Sequence, residues 1–348
     1  MNMPALKYLH IAVSCLLSIQ LQAQSPLPVK LVKKSGNHID VIIGKQLFTS
    51  FLYPDTLEKP ILYPVYSANG TMVTRGFPLM PKPGEPVDHP HHMGIWFNYE
   101  NLNGLDFWNN SYAIKPEKKH LYGWIKTDRI TETTDGATGI LGYHANWTNQ
   151  KNEVILEENT RLEFSGTGNL RIIDRTTVLT AAQDALFKDA KDAFLAIRVA
   201  KELQIPTKEE RSFTDDKGNT TVVKAGAASN GNYLSSEGII GDSVWSTRAK
   251  WVNLFGKMGR DSISIAIIDH PQNINYPTFW HARGYGLFAA NPLGENIFTN
   301  GKSAKNLQLK KGESVTFRYR IIVEQGAKAL SPKELDAQAE DFARKQGR

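Results

Sequence analysis

The sequence predicts an all-β protein: a large antiparallel β-sandwich with a C-terminal helix. Three observations carry that expectation. Apolar and polar residues alternate at period two, as in Val315, Phe317, Tyr319, Ile321 and Val323 against Ser314, Thr316, Arg318 and Arg320. Turn-forming pairs such as Ser165–Gly166, Thr167–Gly168 and Lys311–Gly312 punctuate the alternating stretches. Strand patterns do not alternate with amphipathic helices, which argues against doubly wound and barrel α/β folds. The composition, 41% hydrophobic and 22% charged over 348 residues, excludes a disordered chain, a collagen and a disulfide scaffold.

In chain order, Lys7 precedes an apolar stretch from Tyr8 to Leu21, and the small residue Ala23 follows. That pattern reads as a secretory signal peptide over residues 1–24, with export to the periplasm or beyond. Residues 25–348 are then expected as one β-sandwich domain. The single cysteine, Cys15, lies inside the signal, so the mature chain would have no disulfide, thiolate zinc site or cysteine nucleophile. Ala12–Val13–Ser14–Cys15 also offers a lipoprotein alternative, as a loose lipid-attachment box. No segment approaches the roughly 20 consecutive apolar residues of a spanning helix, so no membrane span is expected.

Strand signals follow at Val154, Leu156, Leu162 and Phe164, from Leu170 to Leu179, from Phe194 to Val199, and at Ile263, Ile265 and Ile267. The polar stretch from Pro206 to Ser235, with turn residues Asp216–Lys217–Gly218–Asn219, reads as an inserted hairpin or a loop over one rim. Ser331–Pro332–Lys333–Glu334 is a capping box with proline at the first helical position. Leu335, Ala339 and Phe342 then share a helix face, which predicts packing against the outside of the sandwich. The net charge of +6 is scattered, so no nucleic-acid partner is expected.

Chemistry concentrates in two stretches. The first holds Arg75, then Asp88-His89-Pro90-His91-His92, Trp96, Asp106 and Trp108; three of nine histidines fall within four positions. Imidazoles so placed can act as general acid and base near neutral pH. His89 and His91, two apart, can also contribute to a divalent metal site, though a third ligand must come from elsewhere. The second stretch runs from Asp269-His270-Pro271 through Trp280, His281, Arg283 and Asn291. His89, His91, His92, His281 and Arg283 are the catalytic candidates. Arg75, Trp96, Asp106, Trp108, Glu237, Trp280 and Asn291 are candidates for binding a carbohydrate or glycoside, with tryptophan faces on sugar C–H bonds. No phosphate loop, dinucleotide fingerprint, serine elbow or zincin helix is present.

The Asp-His-Pro-His-His motif, the Asn-Gly-x-Asp-Phe-Trp run ending at Trp108 and the stretch Tyr276–Gly294 resemble the bacterial "PmoA family". Ile197-Arg198-Val199-Ala200, Ser236-Glu237-Gly238 and Gly312-Glu313-Ser314 extend the resemblance over most of the chain. Asp192, where the pattern suggests glutamate, and Ser235 depart from it. The resemblance implies an exported protein of a polysaccharide-utilising bacterium and, more distantly, the supersandwich of galactose mutarotases. The methane-oxygenase label attached to the family implies a membrane copper subunit, which a chain without spanning helices does not fit.

The residues then favour an exported enzyme using histidine acid/base chemistry, with or without a divalent metal, for lyase, epimerase or hydrolase chemistry on a glycoside, an oxidised sugar or a uronate. Clustered imidazole suits proton abstraction beside a carbonyl, hence lyase or epimerase chemistry. Hydrolysis of an ordinary glycoside asks for two carboxylates. A non-catalytic glycan-binding protein and a metal-dependent oxygenase are the alternatives.

Overall fold

The computed structural model describes residues 25–345 apart from 208, 215–217, 219 and 224–228. The expected signal peptide with Cys15 lies outside the described residues, as does most of the Asp216–Asn219 turn.

Period-two patterning produces two eight-stranded antiparallel sheets. The first runs, edge to edge, Val29–Lys34, His38–Ile43, Gln46–Leu52, Ile61–Val65, Ile95–Tyr99, Ala193–Arg198, Leu287–Asn291 and Phe279–Ala282. The second runs Asn232–Ser235, Trp251–Met258, Asp261–Asp269, Ser314–Gly326, Leu170–Ala181, Val154–Gly166, Gly139–Thr148 and Trp124–Thr134. A small hairpin, Arg211–Thr214 with Thr220–Val223, occupies the polar stretch after Pro206, the first of the two forms, hairpin or rim loop, that the sequence allowed.

The sheets face each other across one apolar core. Phe317, Tyr319, Ile321 and Val323 point into it, as their alternation requires, and so do Ile263, Ile265 and Ile267. The Phe317 ring meets Phe97 and Phe194 of the first sheet at centroid distances of 5.7 and 4.3 Å. One carboxylate, Glu158, is buried here. It accepts from Tyr143 Oη (2.7 Å), Trp147 Nε1 (2.8 Å), Thr160 Oγ1 (2.7 Å) and Arg175 Nη2 (2.8 Å), so its lone pairs are satisfied.

The C-terminal helix Pro332–Arg344 covers the outer face of the second sheet. Its capping box is formed, and Leu335, Ala339 and Phe342 pack on Trp251, Ala266, Ile268 and Ile322. Among the described residues no helix is long and apolar enough to cross a membrane.

The outer face of the first sheet is the unusual one. Cross-strand register places Ile61 opposite Trp96, Trp96 opposite Ala196, Ala196 opposite Ala289 and Ala289 opposite His281. Directly opposed residues share a face, so these form one row. The next row toward the strand ends sets Arg198 opposite Leu287, whose carbonyl accepts from Arg283 N at 2.8 Å. A second apolar cluster, including Met72, Met93, Trp96 and Trp108, covers this face.

Candidate active site

The histidine loop approaches this face through Gly94, at φ +58, where a Cβ would lie 2.2 Å from Leu62 O; only glycine lets the chain pass so close. Arg75 holds the loop in shape. Its guanidinium donates to the carbonyls of Pro86 (3.2 Å), Asp88 (2.7 Å), His89 (2.8 Å) and His92 (3.2 Å), and to Asp88 Oδ1 at 3.0 Å. A fully buried cation whose two terminal nitrogens are shared among five acceptors is a staple, not a free ligand-binding group.

Asp88 is the centre of the charge network. Arg198 Nη2 donates to both its oxygens, at 3.0 and 3.3 Å, and His89 Nδ1 contacts Oδ2. Burial alone would push the carboxyl up, but Arg198, His89 and Arg75 together hold it well below the usual carboxylate range. Arg198 Nη1 also approaches His92 Nδ1 at 3.1 Å. Because arginine only donates, that nitrogen carries a lone pair and the His92 proton sits on Nε2. Burial, then His91 and Arg198, push His92 well below its ordinary value; burial, then Lys59 and His89, do the same for His91. Both rings are therefore neutral at pH 7.

The rings form a ladder. Tyr285 stacks on His89 (5.6 Å, 6°), His89 on His92 (4.8 Å, 4°) and His92 on Trp96 (5.2 Å, 18°). His91 stands edge-on to His89 and His92. Its backbone carbonyl accepts from buried Lys59 Nζ at 2.9 Å, and burial lowers that amine to about 8. His91 Nε2 and Trp96 Nε1 are buried without partners. Of the three histidines His91 and His92 are buried, whereas the His89 side chain is 42% exposed. The contact of its Nδ1 with the Asp88 carboxylate fixes the ring's orientation, the geometry of a carboxylate-oriented general base.

His281 lies on the same sheet face, three strands from Trp96, hence about 14 Å away. Its Nδ1 sits 3.1 Å from Asp192 Oδ1, at ion-pair distance but without hydrogen-bond alignment. Burial lowers the His281 value and Asp192 partly offsets it. The two motif stretches thus meet on one face, bridged by Tyr285.

The other candidates are placed differently. Trp96 and Trp108 are buried in the second apolar cluster. Trp280 is in the inter-sheet core, its Nε1 donating to Ala249 O at 3.0 Å. None of the three offers a free face to a sugar, so the expected tryptophan platform does not match their burial. Asn291 spends its side chain on the carbonyls of Ala190 (2.8 Å) and Lys191 (2.7 Å) and on Leu293 N (2.9 Å), positioning the segment that carries Asp192. Asp106 accepts from Asn109 N and Nδ2 and closes a turn; burial raises its carboxyl. Glu237 is in an exposed turn beside the second sheet, its carboxylate accepting from Ser236 Oγ at 2.9 Å. His270 is in the second sheet's outer layer, edge-on to Phe342 at 5.0 Å. Among the described residues no group of three or more His, Cys, Asp or Glu side chains is arranged to hold a metal ion; the His89 and His91 rings stand 5.6 Å apart at 73°.

Lys59, Arg198, Asp192 and Tyr285 were not among the sequence candidates. Arg198 had a readable signal: an arginine inside the apolar run Phe194–Val199 must have a buried partner. Asp192 stood out only as a departure from a family pattern.

Residues 38–340 match a family model described as a family of unknown function (DUF6807). No curated protein matches the sequence. Among solved structures, the galactosidase domain of an alpha-galactosidase–sucrose kinase is similar at 10% identity and TM-score 0.38, over 87% of this chain and 42% of that one. This chain therefore spans under half of that protein. A galactose mutarotase-like protein from Clostridium acetobutylicum is similar at 11% identity and TM-score 0.31, over 86% of this chain and 99% of that one. A galactose mutarotase related enzyme from Lactobacillus acidophilus is similar at 11% identity and TM-score 0.26, over 85% and 97%.

Proposed function

The chain belongs to the DUF6807 family of unknown function, and we propose that it is a carbohydrate-active enzyme of lyase or epimerase type with His89 as general base. One observation carries this reading: the Asp88–His89 pair, braced by two buried arginines, with the imidazole reaching solvent. Such a base removes a proton from a carbon beside a carbonyl, as in an oxidised sugar or a uronate. The C–H electron pair passes into an enolate and the proton goes to Nε2. Return of a proton to the opposite face gives an epimer; loss of a β-oxygen substituent gives an unsaturated product. The likeness to the PmoA family, without its oxygenase label, and export through residues 1–24 belong to the same proposal.

The test is hydrogen exchange in D2O with keto-glycosides and uronides, followed by mass spectrometry. The protein should add one deuterium beside the carbonyl, and His89→Gln should slow this by about 100-fold or more, the low end of acid/base catalysis. Exchange that is unchanged in His89→Gln, or binding of a sugar with no exchange at all, overturns the reading. The second outcome describes a glycan-binding protein.

A further inference from the structure

Beyond Tyr285 the surface opens into a cavity of about 320 Å³, between the 241–246 segment and the turn at 283–286. That falls in the roughly 300–1,000 Å³ range of small-ligand sites. Its lining includes Asp242, Trp245, Arg283 and Tyr285. The Arg283 guanidinium carbon lies 5.3 Å from the Trp245 ring and 5.8 Å from the Tyr285 ring. Those rings hold it in place, yet among the described residues its N–H groups have no hydrogen-bond or ion-pair acceptor. Arg75, Arg175, Arg198 and Arg320, by contrast, each donate to a carboxylate. The Trp245 indole N–H is also buried without a partner. Asp242 supplies the one carboxylate in the lining, set against Gly284, where a Cβ would meet its oxygens at 2.8 and 3.0 Å. Ser246, beside Trp245, sits at φ +62, a left-handed conformation retained where surroundings fix the chain.

These parts sort by chemistry. A planar cation with free paired donors matches a carboxylate bidentately. A carboxylate accepts from neighbouring hydroxyls. Aromatic faces take C–H surfaces. Asp242 also disfavours ligands with more than one negative charge. We infer that the cavity binds an acidic sugar, a hexuronate or its glycoside, with its carboxylate on Arg283, hydroxyls on Asp242 and a ring face on Trp245. This names the substrate class for the function proposed above and rests on that reading, since Tyr285 is both the cavity wall and the ring stacked on His89.

Calorimetric titration of the full chain with methyl glucuronide and methyl glucoside tests it. The wild type should bind the glucuronide at least about tenfold more tightly, and Arg283→Met should erase that preference with an unchanged melting temperature. Should Arg283→Met not fold, Arg283→Lys serves: it should keep a reduced preference. Equal binding of both sugars, or a preference that survives Arg283→Met, overturns the assignment. His89→Gln separates the two proposals, because it should retain the preference while losing deuterium exchange. Exchange that depends on His89 but acts on a neutral keto sugar without regard to Arg283 sinks the subsite alone. Arg283-dependent glucuronide binding with exchange indifferent to His89 sinks the base alone.

Discussion

Asp88 joins two arginines and a histidine, and most of the site's geometry depends on it. Arg198, fully buried, is its partner and also the donor to His92. Arg198→Met would leave a largely buried carboxylate with only Arg75 and His89 and leave the His92 lone pair without a donor. Removing one member of a buried pair costs about 3–5 kcal/mol. Chemical denaturation of the variant should show a loss of that size. A loss below about 1 kcal/mol, the range of an exposed pair, would mean that the network contributes little.

At the scale of elements, the C-terminal helix and the first sheet's outer face are independent. The helix lies on the far face of the second sheet, anchored by Leu335 in the layer and by Arg320 Nη1 to Asp341 Oδ2 at 2.9 Å. Leu335→Ala should cost about 2–5 kcal/mol in thermal or urea unfolding. Ligand affinity and turnover measured on the remaining folded protein should not change, and a change in either would show that the faces communicate. This helix was fully legible: the Ser331–Glu334 capping box and the Leu335–Phe342 spacing are local signals. The strands were legible for the same reason, since alternation is written in adjacent residues. The row Trp96–Ala196–Ala289–His281 was not, because two of its three pairings join residues about a hundred positions apart and no local pattern encodes register. The histidines announced themselves by clustering. The fate of the tryptophans did not, because a tryptophan in a core strand and one on a ligand-facing surface share the same sequence context.

The buried histidines affect the stability of the whole molecule. His91 and His92 have folded values well below 6.5, their ordinary value in an unfolded chain. Below about pH 6.5 the unfolded chain therefore binds protons that the folded one refuses, and stability falls as pH falls. Each such group contributes a slope of up to about 1.4 kcal/mol per pH unit in that window. Asp88, held low by its arginines, adds a further loss that begins only below about pH 4. Asp269 and Glu324, which burial raises to about 7, act in the opposite sense over the same range, so the histidine contribution is read as a difference: melting temperature should decline more steeply from pH 6.5 to 5 in the wild type than in His92→Gln. An equally steep decline in that variant would assign the effect to other groups.

The row of paired residues across the first sheet also governs how the protein is made. Its members come from strands near residues 96, 196 and 280–290, so the site exists only after two long loops have closed. Pairings this distant delay folding, since chain entropy is lost before the contacts that repay it form. A nascent chain cannot complete this face before residue 291 is available. Until then the strand Ala193–Arg198 has one open edge, and Arg198 stands on an outer face that is still incomplete. Late closure makes the arrival of the Leu287–Asn291 strand the step that pairs this edge and completes the face.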